Sequence, residues 1–473
     1  MSKPLSFFNT LSGKLEVFEP LKAGVASMYS CGPTVYDHAH IGNMRPYVHA
    51  DIAKRALEHA GFVVTHTINV TDFGHLVGDG DAGEDKMMLA LRRENKPITK
   101  EAMGEMTRFY TESFKTDLKL MNVEPNITYA PASKYIQEEI ALVQALSEKG
   151  YTYETSDGVY FDISRFPAYG KLGNIDLDTL KNGARVEVNP EKRHPADFAV
   201  WKRGELGWES PWGTGFPGWH IECIAMAFAT LGKQIDVHTG GEDLASTHHN
   251  GEIAQAECAT SRSPYVKYWM HNAFITIENS KISKSLGNTL RLEHLKERGY
   301  SAIDFRYWLM SGHYRTTMNF TFDALDGAHQ ALFRLRRHMF EDYAAEEGGH
   351  IAISYSKAFW DAINDDLNTP AGLAVVWKLV DDTQVSAKDK VATLRSFDEL
   401  LGLDLSLTKE KGMRMLGVVS VNDVPSDIKK LLDEREHARE VKDWERADVL
   451  RAALNMKGYL VEDSAKGIRI TKI

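Results

Sequence analysis

Four side chains suited to a borderline-soft metal ion are scattered over more than two hundred positions of this 473-residue chain: Cys31, Cys223, His248 and Glu252. His248 and Glu252 stand four residues apart in His248-His-Asn-Gly-Glu, a spacing that puts both on one face of a helix. Cys223 closes Gly218-Trp-His-Ile-Glu-Cys, and Cys31 opens Cys31-Gly-Pro-Thr-Val-Tyr-Asp, a loop at a strand end. Tetrahedral zinc accepts this mixture of thiolate, imidazole and carboxylate. No CxxC pair is present, so spacing alone leaves a plainer reading open, with each cysteine a small buried hydrophobe and His248 a satisfied surface histidine. Cys258 falls on a different turn of the same helix and reads as core.

Two further strings carry charge or phosphate chemistry. His40-Ile-Gly-Asn43 opens a helix directly after a strand-end loop, where free N–H groups and the positive end of the helix dipole hold phosphate, and Gly42 lets a nucleotide approach. Lys281-Ile-Ser-Lys-Ser285 places Lys281 and Lys284 in a polar, turn-prone segment, which reads either as a solvated loop or as a cationic clamp on a pyrophosphate leaving group. Gly78-Asp-Gly-Asp-Ala-Gly83 matches the dinucleotide glycine fingerprint by letter. Its acids would repel a pyrophosphate, so it reads as an acidic surface loop.

The elements that must position these groups alternate. Val25 to Ser30 reads as a strand and His40 to Gly61 as a helix with Met44, Val48, Ile52 and Ala56 at fourfold spacing. Phe62 to Val70 reads as a second strand. This is a βαβ pattern with a parallel sheet, whose ligands sit beyond the carboxyl ends of the strands, where Cys31 to Asn43 and Thr71 to His75 lie. A helix from Ser133 to Gly150 and a hairpin around Ser156-Asp-Gly open an insertion that runs to about Gly218. The parallel sheet resumes with a helix from Trp219 to Leu231, a strand at Ile235 to His238, the loop Thr239-Gly-Gly-Glu-Asp and a helix from His248 to Cys258. Beyond Phe322 the chain is helical, Ser406 to Pro425 reads as a linker, and a charged helix and small hairpin end the chain.

Composition bounds the class. Hydrophobic residues at 43% and charged residues at 26% suit a folded chain of about three domains. Apolar runs fall short of the ~18 residues of a membrane span. The N-terminus reads as no secretory signal, and three cysteines make no disulfide framework, so a cytoplasmic protein without membrane partners is expected. The net charge of −10 argues against a simple nucleic-acid coat, although the segment from Asp427 carries eleven basic against ten acidic residues.

His-Ile-Gly-x and Lys-Ile-Ser-Lys-Ser, in this order around an insertion, closely resemble the two signatures of class I aminoacyl-tRNA synthetases. Tyr29-Ser-Cys-Gly-Pro-Thr-Val-Tyr-Asp, Pro217-Gly-Trp-His-Ile-Glu-Cys and His-His-Asn-Gly-Glu resemble the cysteinyl-tRNA synthetase family within that class. The likeness continues through Phe305-Arg-Tyr-Trp-Leu-Met-Ser, Asp365-Asp-Leu-Asn-Thr-Pro and Lys442-Asp-Trp-Glu-Arg-Ala-Asp, essentially the whole chain.

The resemblance implies an α/β fold: a Rossmann-like parallel-sheet catalytic domain split by an insertion, then an α-helical bundle and a small α+β C-terminal domain. The expected boundaries are 1–130 and 218–275 for the two catalytic halves, 131–217 for the insertion and 276–322 for the signature-loop and stem-contact region. The tRNA-binding bundle is expected at 323–405, a linker at 406–426 and an anticodon-binding domain at 427–473. One zinc ion per chain is implied on Cys31, Cys223, His248 and Glu252, binding the substrate thiolate as a filter against serine. The family's roles carry over to His40, Lys281 and Lys284 as catalytic groups, and to His40, Gly42, Asn43, Gly241, Asp243 and Lys284 at ATP. They carry over to Gly32, Thr71, Trp219 and His238 at the amino acid, with His238 orienting substrate or a zinc ligand. Trp444, among Lys442, Arg446 and Arg451, would stack on an anticodon base, or else fill a helix core. The expected partners are L-cysteine, ATP with Mg²⁺ and tRNA(Cys), and the expected state is a monomer. Asn43 replaces the signature's usual histidine and cannot become cationic, and Ile282 replaces its methionine. An ATP-dependent ligase passing cysteine to an amino-sugar, or a silent zinc-stabilised RNA-binding paralogue, are the rival expectations.

Overall fold

The computed structural model describes residues 3–74, 86–173, 189–218, 220–282, 289–464 and 467–472. The acidic stretch 78–85, Trp219 and Lys284 lie outside the described residues. The chain divides into two compact units, one of Met1–Ala328 with Lys357–Ala374, the other of His329–Ser356 with Val375–Ile473.

The first unit is built on a five-stranded sheet of β1 (Val25–Ser30), β2 (Val63–Val70), β3 (Thr128–Pro131), β4 (Ile235–Gly241) and β5 (Val266–Asn272). Its order is β5-β4-β1-β2-β3 and every pairing is parallel. The sheet grows outward from β1 in one direction and from β4 in the other, so the β1/β4 seam is the switch point where such sheets hold ligands. The 131–217 segment interposed between β3 and β4 carries a four-stranded antiparallel sheet, including the hairpin Thr152–Thr155 and Gly158–Phe161.

Helix α1 (Ile41–His59) follows β1, and Met44, Val48, Ile52 and Ala56 are all buried, as the fourfold spacing predicts. Helix α2 (Lys100–Leu120) went unread in the sequence. It starts on a Thr99 cap that accepts from the Ala102 N–H and buries Met103, Met106, Tyr110, Phe114 and Leu118. Helices α3 (Ile136–Glu148), α4 (Ile221–Thr230) and α5 (His248–Thr260) fall where helices are expected.

Beneath α1 lies a buried ion network. Asp51 accepts from Arg306 at 2.6 Å and from Arg55 at 2.9 Å, and its other oxygen accepts the Glu124 N–H at 2.8 Å. Burial would raise the Asp51 carboxyl, but the two guanidinium groups outweigh it and hold it below the usual carboxylate value. A depressed carboxyl contributes stability that is complete above the unfolded pKa, about 3.9, and disappears as pH falls through the folded value. Asp51→Ala therefore takes the carboxylate from buried Arg306 and leaves Arg55 with Glu124 at 3.2 Å, and is expected to cost about 3–5 kcal/mol in chemical denaturation at neutral pH. The gap from wild type should narrow below about pH 4, and a difference under about 1 kcal/mol at neutral pH would show the network to be idle.

The second unit holds Ala387–Leu401, Ser426–Glu440 and Trp444–Met456 as helices, with a three-stranded sheet of Val418–Val419, Gly467–Lys472 and Tyr459–Ser464 in that order. Within the stretch expected as a bundle, 323–405, the residues from Val375 belong to the second unit and Lys357–Ala374 to the first. There Asp366 accepts from Arg315, Tyr314 and the Phe8 N–H. The expected linker 406–426 is structured: helix Lys409–Met415 packs Gly412 against the Phe340 ring, and Val418–Val419 pairs with Ile470 and Thr471. Elements of seven and two residues are too short to leave a readable hydrophobic period.

Candidate metal centre and active site

The four expected ligands arrive from four different places at the β1/β4 seam. Cys31 begins the loop leaving β1 and donates its N–H to the Thr239 carbonyl of β4 at 3.1 Å. Cys223 lies in the first turn of α4, and the first turn of α5 presents His248 and, one turn on, Glu252. Their donor atoms all lie within 4.8 Å of one another. His248 Nε2 is 3.3 Å from Cys223 Sγ and 2.8 Å from Glu252 Oε1, which is 3.8 Å from Cys31 Sγ. Tetrahedral zinc with bonds of 2.0–2.3 Å spaces its ligands by roughly 3.3–3.8 Å, so small side-chain shifts close this set around an ion. Cys31 is half-buried; the other three are buried.

The electrostatics suit a cation. The hydrogen bond between the two cysteines holds the Cys223 thiol below its usual value despite burial, with His248 reinforcing it, while burial and Cys223 push Cys31 up. Burial opposes charge on His248, but Cys223 and Glu252 raise it to about 10. Burial likewise opposes ionised Glu252, yet His238 and His248 hold it down at about 2. A buried carboxylate and thiolate, balanced here by an imidazolium proton, form the charge pattern that a divalent ion takes over by displacing that proton.

A second layer orients the ligands. His238 of β4 bonds Glu252 Oε2 through Nε2 at 2.9 Å. His220 Nδ1 lies 2.9 Å from His248 Nδ1, and the His220 backbone sits at φ 89°, a left-handed conformation costing about 1–3 kcal/mol for such a residue. Reading the sequence missed His249. Its Nε2 is 3.2 Å from Cys31 Sγ and its Nδ1 is 2.7 Å from His271 Nε2, and Cys31, His238, His249 and Glu252 form a second donor group within the same 4.8 Å. The His248-His249 doublet was the only sequence signal, and nothing in the sequence pointed to His271.

While Glu252 is fully buried, Cys31, Cys223 and His248 line a cavity of about 750 Å³. Also lining it are Gly32, His40, Gly42, Asn43, Thr71, Gly241, Asp243 and Lys281, so these expected site residues meet in one place. The Gly32 N–H donates to Asn69 Oδ1 at 2.6 Å, and a Cβ at Gly32 would overlap the Asn69 carbonyl. Thr71 donates to Glu222 Oε2 at 3.0 Å, which makes Glu222 a second wall residue missed in the sequence. At the N-terminus of α1, Asn43 Oδ1 accepts the His40 N–H at 3.1 Å, so the residue that cannot be cationic serves as a capping group. Gly42 packs tightly on the second signature: a Cβ would meet Ile282 at 2.8 Å. Lys281 is carried on strand Ser280–Lys281, opposite Thr276.

Residues 17–330 match the family model for the class I (C) tRNA synthetase catalytic domain, 358–406 the DALR domain, and 421–470 the cysteinyl-tRNA ligase anticodon binding domain. A cysteine–tRNA ligase of Burkholderia lata is 43% identical over 475 residues, covering 99% of this chain and 97% of the relative. The chain belongs to the cysteine–tRNA ligase family. A Treponema denticola member is 38% identical over 98% of both chains. Among solved structures, Mycobacterium tuberculosis methionyl-tRNA synthetase with methionyl-adenylate aligns at TM-score 0.58 and 13% identity, over 83% of this chain and 94% of that one. A leucyl-tRNA synthetase from Agrobacterium radiobacter, in a ternary complex with tRNA, aligns at 0.62 and 11%, over 85% and 86%. At those identities the two share the fold, a class I catalytic architecture. No described helix is long and apolar enough to cross a membrane.

In the family's anticodon-binding segment, Trp444 opens helix Trp444–Met456 and is 59% exposed, beside exposed Val441. It fills no core.

Proposed function

We propose that the chain activates L-cysteine with ATP to cysteinyl-adenylate and transfers the cysteinyl group to the 3′ end of tRNA(Cys), choosing its amino acid by the sulfur. The observation that carries this reading is the convergence of two thiols, an imidazole and a buried carboxylate within 4.8 Å, with both thiols and the imidazole lining a cavity that also holds the α1 N-terminus and Lys281. Zinc fits these donors, and Cys31, Cys223, His248 and Glu252 would hold it, supplying a Lewis acid that binds and deprotonates a thiol.

The rest of the reaction falls to the chain's own groups. Gly32 lets the Cys31 loop pack against the Asn69 carbonyl at the cavity wall, and Thr71, its hydroxyl proton held by Glu222, offers lone pairs to the substrate ammonium. The positive end of the α1 dipole, with His40, takes the ATP phosphates, which arrive with Mg²⁺. Gly241 at the end of β4 and Asp243 just after it are placed for adenosine and its ribose. The cysteine carboxylate then attacks the α-phosphorus in line, the bond to the bridging oxygen breaks, and pyrophosphate leaves against Lys281 and Lys284. A terminal ribose hydroxyl of the tRNA attacks the adenylate carbonyl and AMP departs. No side-chain nucleophile is used, so the protein contributes positioning and charge neutralisation.

Cysteine-dependent ATP–pyrophosphate exchange, followed by transfer of labelled cysteine to tRNA, tests the reading. Absence of exchange at saturating zinc defeats it, and exchange with transfer to an amino-sugar in place of tRNA defeats its second half. The exposed indole of Trp444 supports an anticodon contact. Trp444→Ala is expected to lower charging of tRNA at limiting concentration by about tenfold, the worth of one base stack, with pyrophosphate exchange unchanged. Equal loss of both would remove Trp444 from the tRNA surface.

A further inference from the structure

Arg45 lies in the second turn of α1 and is only 3% exposed. Burying a cation is costly unless each donor finds a partner, and this one spends its donors in an unusual way. Its guanidinium donates four hydrogen bonds to backbone carbonyls. Nη1 reaches Ala273 at 2.7 Å and Phe274 at 2.6 Å, while Nη2 reaches His313 at 3.1 Å and Thr316 at 2.6 Å.

Those carbonyls belong to the two segments that feed one small sheet. Ala273 and Phe274 lead into Ile275–Ile277, and His313 to Thr316 lead into Met318–Phe320, and these two strands pair in parallel. The third strand, Ser280–Lys281, pairs antiparallel with the first and sets Lys281 opposite Thr276. The Phe274 peptide is gripped from both sides, its N–H donating to Glu242 Oε1 at 3.1 Å while its carbonyl takes Arg45 and the Met318 N–H. The same helix that carries Arg45 presents His40, Gly42 and Asn43 to the cavity, and Ile282 touches Gly42.

We propose that Arg45 is a positioning residue for adenylate formation: it locks the sheet bearing Lys281 in register with the phosphate-holding end of α1. The inference rests on the proposed function and deepens it. Arg45 does not line the cavity and touches no substrate. It sets the separation of two groups that must act on one triphosphate, and a misplacement of 1 Å between such groups costs about a hundredfold in rate. Lysine would not replace it, because an ammonium is a point charge with three donors, whereas a planar fork spans four acceptors on two segments.

The test compares Arg45→Lys and Arg45→Met with wild type in single-turnover adenylate formation, cysteine affinity, zinc content and thermal unfolding. Arg45→Met should slow adenylate formation by about a hundredfold and Arg45→Lys by about tenfold. Cysteine affinity and zinc content should change less than twofold, because Arg45 bonds neither the amino-acid wall nor the ligand shell. A wild-type rate in either variant overturns the inference. So does a loss of zinc, cysteine binding and thermal stability in step with the rate, which is the pattern of a merely structural residue. If Arg45→Met fails to fold, Arg45→Lys decides on the same criteria. Failure of the wild type itself to make adenylate strikes the proposed function first and this inference with it.

Discussion

Cys223→Ser is expected to lose most of its zinc and, with it, the preference for cysteine over serine. Cys223 is buried in the first turn of α4, its thiol is held below the usual value, and His248 sits 3.3 Å away. A hydroxyl keeps its proton at neutral pH and is a poor ligand for a borderline-soft ion, so metal affinity should fall by more than about a hundredfold. The substitution is nearly isosteric, so the fold should hold and far-ultraviolet circular dichroism should not change. Without the ion only shape separates the two amino acids, and a pocket distinguishes one small group by about 1–3 kcal/mol. Selectivity in ATP–pyrophosphate exchange should therefore fall to about 10–200-fold. A variant that kept both its zinc and its discrimination against serine would end the filter account. His249 and His238 offer the ion a second donor group with Cys31 and Glu252. Residual zinc in Cys223→Ser, abolished in Cys223→Ser/His249→Ala, would locate it there.

Lys284→Ala is expected to slow adenylate formation by about 10²–10³-fold, the cost of removing one preorganised group that meets charge developing in the transition state. Lys281, three residues before it, already lines the cavity that also receives the α1 N-terminus. Cysteine binding should be unaffected, because the thiol-binding wall is built from β1, β4, α4 and α5. Titration of cysteine by intrinsic fluorescence, beside single-turnover kinetics, separates the two effects. A large loss of cysteine affinity with normal chemistry would assign Lys284 to the amino acid instead.

Much of this protein could be read from its residues alone. Val25 to Ser30, α1 with its apolar residues at fourfold spacing, and the helix that pairs His248 with Glu252 all announce themselves through residue type, spacing and the loop and glycine signals that bound them. The two signature strings and the cysteine contexts likewise identified the chemistry, since they depend on residue type and order. Other features had no local signal. The Lys409–Met415 helix with the Val418–Val419 strand is too short to show a period, so a linker was expected there, whereas α2 carries a Thr99 cap and a regular stripe of Met103, Met106, Tyr110, Phe114 and Leu118 that went unread.

What only the tertiary structure decided is convergence. Cys31 and Cys223 are 192 positions apart, and whether each is a ligand or a small core residue depends on which strands are neighbours. The β1/β4 pairing sets the Cys31 N–H against the Thr239 carbonyl and brings the Cys31 and Cys223 donor atoms within 4.8 Å of each other. The same holds for His249, His271 and Glu222, ordinary residues by type that acquire a role from the atoms 2.7–3.2 Å away. Arg45 is the sharpest case. Nothing in its sequence neighbourhood tells that its partners are four carbonyls more than two hundred positions downstream, because backbone acceptors carry no residue-type signature at all.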